Sequence, residues 1–238
     1  MPLKLPELPA EPEHTRLPWK TATAAFLLGT CFIIAPVPYF LVNRTSIPLM
    51  LATACIPPVC GSLLMSFLVA RCGGIKMLHC HALSTDDLIH CLKWTFVIIL
   101  LYSAVNAVWK NLLEICAVPF TENQFLMQIA ATADCRTFLL LAFLVLIPVP
   151  VAEELLFRRI LYAGLLPAGR KTALIGSAAA FAAAHLFLAG LPGLVVIGAG
   201  FQLLYLSRKN LLCSIASHAM LNGCTLLATL IQRMEILS

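Results

Sequence analysis

The chain reads as an all-α protein, a polytopic transmembrane bundle of about seven helices, and three observations lead there. Of its 238 residues, 61% are hydrophobic and only 11% are charged, against roughly a quarter charged in ordinary soluble domains. Its mean hydropathy is +0.93. The apolar residues gather into windows near the length of about 20 residues that carries a helix across about 30 Å of hydrocarbon. Spans consume most of the length, so one integral membrane domain is expected. The net charge of +5 reads as attraction to anionic lipid headgroups rather than to nucleic acid.

Taken in order, the windows fall near 21–42, 47–70, 92–109, 137–165, 172–189, 191–206 and 211–231. Residues 1–18 mix Pro, Glu and Lys and read as a cytoplasmic tail. The first apolar run follows this mixed-charge leader without a small-residue cleavage site, which predicts a retained helix rather than a cleaved signal peptide. Residues 19–136 hold about three spans with their loops, 137–231 form the membrane core that carries the polar motifs, and 232–238 are a C-terminal tail. Pro36/Pro38, Pro57/Pro58 and Pro148/Pro150 fall inside spans, where neighbouring helices must re-satisfy the freed backbone groups. Trp94 and Trp109 bracket the third span as interfacial anchors, and Asn106 and Asn111 read as packing residues. The fifth and sixth windows are short and separated only by Ala189-Gly-Leu-Pro-Gly193, so they form a tight hairpin or a pair that dips incompletely through the bilayer. Gly193, Gly198 and Gly200 imply close helix approach. Gln202 can line a cavity but has no defined role.

Charge sets the orientation. With the N-terminus in the cytoplasm, Lys4, Arg16, Lys20, Arg71, Lys76, Lys93, Arg158, Arg159, Arg170, Lys171, Arg208 and Lys209 lie on that side, and Arg44, Lys110, Arg136 and Arg233 lie opposite. The bias selects the N-in topology even after Arg158 is discounted. Cys31, Cys55, Cys60, Cys116, Cys213 and Cys224 lie in apolar spans without paired ligand spacing and read as small core residues. His79-Cys80-His81, with His90-Cys91 downstream, is a compositional hint of metal binding without fixed ligand spacing.

The chemistry begins at Glu153 and Glu154. They follow the apolar run that starts at Phe138, with Arg136 the nearest charge before them and Arg158 the next after. An ionisable pair inside a span is costly and marks a functional site. If the helix runs to the Leu165-Leu-Pro-Ala-Gly break, Glu153 lies roughly 18 Å deep at about 1.5 Å per residue, His185 roughly 20 Å, and His218 and Asn222 about 10–16 Å. All four can therefore share one cavity. Glu154/Arg158 and His218/Asn222 are each four residues apart and share helix faces, and Pro148 and Pro150 help open a pocket beside them. A buried glutamate near a histidine can take a proton from water. Amide and imidazole donors can stabilise an oxyanion.

Glu153-Glu154-Leu-Leu-Phe-Arg158 resembles an EExxxR motif, Phe181-Ala-Ala-Ala-His185 an FxxxH motif and His218-Ala-Met-Leu-Asn222 an HxxxN motif. Their order is that of the CPBP family, the intramembrane glutamate proteases that include type II CAAX prenyl endopeptidases and bacteriocin-processing or immunity proteins. The resemblance covers roughly 137–231 and implies an endopeptidase acting on a membrane-tethered peptide or protein, prenylated or a peptide precursor. Glu153 would activate water with His185, His218 and Asn222 would form the oxyanion hole, and Glu154 with Arg158 would support them. It implies no cofactor; a zinc-dependent version using the same Glu and His residues is the alternative. Arg159 departs from the pattern, where many members have glycine.

Each residue also has a structural reading. Glu154–Arg158 can be a buried ion pair that fixes register, and His185, His218 and Asn222 can be core or interhelical hydrogen-bonding groups. A non-catalytic immunity or scaffold protein would use the same cavity for binding. A small-solute or proton transporter fits the buried carboxylates but lacks an inverted repeat. Compactness points to a bacterial inner membrane.

Overall fold

The computed structural model describes residues 18, 20, 21, 24, 25, 27, 59–71, 80–121 and 135–237. Every element among them is helical. The first predicted window lies mostly outside the described residues, as do 47–58 of the second, most of the N-terminal tail and His79. The helices are α1, Val59–Arg71; α2, Thr85–Ile115; α3, Cys135–Ala168; α4, Arg170–Ala184; α5, Leu191–Arg208; and α6, Leu211–Leu237. Four described segments are long and apolar enough to cross a membrane: α2, α3, the stretch Leu188–Arg208 and the α6 stretch Leu211–Ile231. Leu92, Phe96 and Val108 of α2 are exposed, as are Leu139, Leu140 and Phe143 of α3. An apolar rim of this kind belongs against lipid tails.

α2 begins in a capping box: Asp87 N donates to Ser84 Oγ at 3.1 Å and Ser84 N to Asp87 Oδ2 at 3.0 Å. This satisfies orphan amides at the helix start. The same carboxylate holds the far end of α5, because Arg208 Nε donates to Asp87 Oδ1 at 2.8 Å and Arg208 Nη2 to Asp86 Oδ2 at 2.7 Å. α2 and α5 are therefore antiparallel neighbours. Three glycines let them and α4 approach: a Cβ at Gly193 would stand 2.4 Å from Asn106 Oδ1, at Gly200 2.7 Å from Ile98 Cδ1, and at Gly198 3.0 Å from the Ala178 Cα. Asn106 uses the closeness to accept from Gly193 N at 3.1 Å.

Both tryptophans of α2 make hydrogen bonds across the bundle. Trp94 Nε1 donates to the Gly200 carbonyl at 2.8 Å and Trp109 Nε1 to the Leu188 carbonyl at 2.9 Å, stitching α2 to the chain of α5 at two levels.

α3 is broken twice. Ile147 leaves the helix where Pro148 enters as the first residue of the short α segment Pro148–Glu154, since neither proline can donate to the turn before it. A π turn, Leu155–Leu161, follows immediately. Leu155 through Ile160, both arginines included, are all buried there, and the segment completes a core with Phe181, Phe201 and Tyr205. π insertions are frequent at functional sites. Arg158 and Arg159 were counted in the sequence as cytoplasmic charges; their burial removes both from that tally, and the remaining bias has the same sign.

α4 ends sooner than the 172–189 window, at Ala184, and the chain turns through Leu186 with φ +49° into the 3-10 turn Leu188–Gly190. With 15 residues it is about 22 Å long. Among the predicted core cysteines, Cys213 is buried, whereas Cys60, Cys116 and Cys224 are exposed; Cys31 and Cys55 lie outside the described residues.

Candidate active site

The two carboxylates lie on the short α segment between the proline break and the π turn, so the irregularities on either side fix where they point. Glu154 is fully buried and faces four donors. Arg158 Nε reaches Oε2 at 2.9 Å and Nη2 reaches Oε1 at 3.2 Å. His218 Nδ1 lies 3.0 Å from Oε1. Ser214 Oγ donates to Oε2. A carboxylate is acceptor-only when ionised, so Nδ1 carries the hydrogen of this contact.

Arg158 is as buried as its partner. Its guanidinium carbon sits 4.9 Å from the Phe181 ring centre and 5.8 Å from that of Phe201, the geometry in which ring faces attract a cation. The Phe201 ring stacks on His218 with centroids 4.9 Å apart. The aromatic of the FxxxH motif thus lines the same centre as the EExxxR arginine.

Glu153 has a different setting. Its side chain is 24% exposed, and Oε2 stands 3.7 Å from His218 Nε2. That oxygen is buried and has no hydrogen-bond partner among the described residues. His218 therefore lies between two adjacent carboxylates, bonded to Glu154 through Nδ1 and turned toward Glu153 through Nε2. An oxygen without a donor among the described residues has lone pairs available to a reacting group.

The other two motif residues stand apart from this contact set. His185 caps the C-terminus of α4, is exposed, and places Nδ1 2.8 Å from the Phe181 carbonyl. Its ring lies 4.7 Å from that of Phe181, which in turn lies 6.0 Å from His218. Asn222 Nδ2 donates to the Val145 carbonyl at 3.0 Å, so it holds the backbone just before the Pro148 break. The second amide hydrogen and Oδ1 remain for other partners.

Sequence reasoning missed Ser214 altogether, although its place four residues before His218 puts it on the same helix face. In the sequence Arg159 reads as a cytoplasmic charge and a departure from the motif pattern. It is buried, donates from Nη1 to Tyr205 Oη at 2.9 Å and lies 6.0 Å over the Tyr205 ring, where glycine could do neither. Gln202 is fully buried, and neither end of its amide has a hydrogen-bond partner among the described residues. No three His, Cys, Asp or Glu side chains among the described residues gather as metal ligands. Burial pushes the Cys80 thiol above its ordinary range, which disfavours the thiolate that binds metals.

Fold and site together define a helical integral membrane protein with a carboxylate–histidine centre enclosed among its helices. Residues 135–224 match the family model described as type II CAAX prenyl endopeptidase Rce1-like. The matched segment contains all three motifs, in agreement with their CPBP resemblance. No curated protein and no solved structure matches the chain.

Proposed function

We propose that the protein is an intramembrane endopeptidase that hydrolyses a peptide bond of a membrane-tethered substrate, prenylated or a peptide precursor, with Glu153 as general base. The observation that carries this reading is the buried Glu153 Oε2, without a hydrogen-bond partner among the described residues, facing His218 Nε2 at 3.7 Å. Water bound there gives a proton to Glu153 as its oxygen attacks the scissile carbonyl carbon. The carbonyl oxygen becomes an oxyanion. When the C–N bond breaks, the proton passes to the leaving amine and Glu153 is restored.

Of the two motif histidines, His218 is the one the geometry sets beside Glu153. His185 keeps Nε2 available because Nδ1 is engaged by the Phe181 carbonyl, and Asn222 keeps one amide hydrogen. These two serve water and oxyanion at the exposed side of the centre, where a single well-aimed donor is worth about 2.7–4 kcal/mol. Glu154 and Arg158 support from below. The reading includes a metal-free site, an N-terminus in the cytoplasm and a bacterial inner membrane.

The test is cleavage of a panel of prenylated and unprenylated membrane-tethered peptides by detergent-purified protein, beside folded Glu153→Gln and His185→Ala. Glu153→Gln should lower kcat by about 10²–10⁴, and a chelator should leave the wild type unchanged. Full activity in Glu153→Gln would end the mechanism. Loss of activity on chelation, restored by zinc, would favour the metal version. Silence of the wild type across the panel would shift weight to an immunity or scaffold role.

A further inference from the structure

Ser214 lies outside all three motifs, yet it touches the centre of the site. It is fully buried on α6, four residues before His218. A serine inside a helix commonly bonds back to the carbonyl four residues earlier. Ser214 instead reaches across to α3 and donates to Glu154 Oε2, with the Phe201 carbonyl of α5 also within 3.2 Å. One hydroxyl hydrogen cannot serve both acceptors fully, and the charged one binds it more strongly.

The division of contacts on Glu154 then matters. Oε2 takes Arg158 Nε and Ser214, whereas Oε1 takes His218 Nδ1 and the longer 3.2 Å bond from Arg158 Nη2. The terminal torsion of a glutamate is broad, so one arginine on its edge leaves the carboxylate plane able to tilt. A second donor on Oε2 removes that freedom. We infer that Ser214 is a positioning residue: by closing Oε2 it fixes Glu154 so that Oε1 holds the His218 imidazole in its Nδ1–H form, with Nε2 presented to Glu153. The kinetic part rests on the proposed function; the tautomer part rests on the geometry alone.

Two measurements separate these parts. The first is ¹⁵N NMR of histidine-labelled protein in detergent at neutral pH, with the His218 signals identified by their loss in His218→Gln. The wild type should show a protonated Nδ1 at His218, Ser214→Ala a mixture of tautomers, and Ser214→Thr, which keeps the hydroxyl, the wild-type pattern. The second is steady-state cleavage, in which Ser214→Ala should lower kcat about ten- to a hundredfold, the worth of a hydrogen bond to a charged group, with KM unchanged. An unchanged tautomer and kcat in Ser214→Ala, with only a lower melting temperature, would make Ser214 a packing residue and overturn the inference. If the wild type cleaves nothing, the protease reading fails while the NMR comparison still decides the role of Ser214. Should Ser214→Thr misfold, the alanine variant alone decides it.

Discussion

Glu154 and His185 are both motif residues on helices of one apolar bundle, and they are held in opposite ways. Glu154 is sealed among Arg158, His218 and Ser214 from two helices, and each donor depends on the others for its direction. His185 is exposed at the end of a helix, tied to its own turn by the Phe181 carbonyl and followed by a left-handed Leu186. In the proposed mechanism the difference separates two tasks within one site. A buried charge needs complete satisfaction and gains a fixed orientation from it, while a group that must meet a substrate has to lie where a substrate can reach.

The sharpest way to break the comparison is to remove one member at each end. Glu154→Ala leaves Arg158 as an uncompensated buried charge and should destabilise the protein by about 3–5 kcal/mol. His185→Ala should stay within about 0.5 kcal/mol of the wild type, as surface substitutions do. Thermal melts in detergent check both. Equal losses would mean that His185 belongs to the framework after all.

A smaller effect is expected where α4 meets α5. Gly198→Ala places a methyl 3.0 Å from the Ala178 Cα, which only backbone movement can relieve, and overpacking of that kind costs about 1–3 kcal/mol. The lost stability should be accompanied by reduced cleavage, because α4 carries His185. Wild-type stability would show that the two helices separate more easily than their packing implies.

Trp109→Phe removes the hydrogen bond to the Leu188 carbonyl and should cost about 0.5–1.5 kcal/mol. Faster hydrogen exchange confined to 185–190 would place the loosening at the hairpin, and exchange spread through α3 would contradict the division drawn here. The smallest signal concerns Cys80. Because its thiol is pushed up by burial, less of it is thiolate at pH 7–8, and it should react with maleimide more slowly than exposed Cys116. The gap should narrow as pH rises.

Much of this was legible in the sequence for physical reasons. Membrane helices announce themselves by length and apolarity, so the windows 92–109, 137–165, 191–206 and 211–231 fall within α2, α3, α5 and α6, though α2 runs on past its window at both ends. Glu153, Glu154 and Arg158 stood out because charge there is expensive, and i,i+4 spacing gave the Glu154–Arg158 bond directly. The rest depended on features that leave no local trace. Ser214 is one of many serines that a helix accommodates by bonding to itself, and its cross-helix bond exists only in the tertiary arrangement. No single residue encodes the π turn that brings Arg158 and Arg159 inward together. The end of α4 at Ala184 was hidden by an apolar run that continues past it, since hydropathy reports what tolerates lipid and not where a helix stops. Equal depth made convergence of His185 with Glu153 conceivable, but depth fixes only one of three coordinates.

The 15 residues of α4 have a consequence for the membrane itself. This helix is not among the four described segments long and apolar enough to cross a membrane: at about 22 Å it falls about 8 Å short of a hydrocarbon layer of about 30 Å, and Leu186 and Leu188 beyond its end are exposed. Lipids beside so short an apolar helix adjust by shortening their reach, which thins a bilayer locally. In the proposed reaction, headgroups and water brought closer to His185 leave a tethered substrate less hydrocarbon to cross, and acyl-chain length becomes a variable that the surrounding membrane can set.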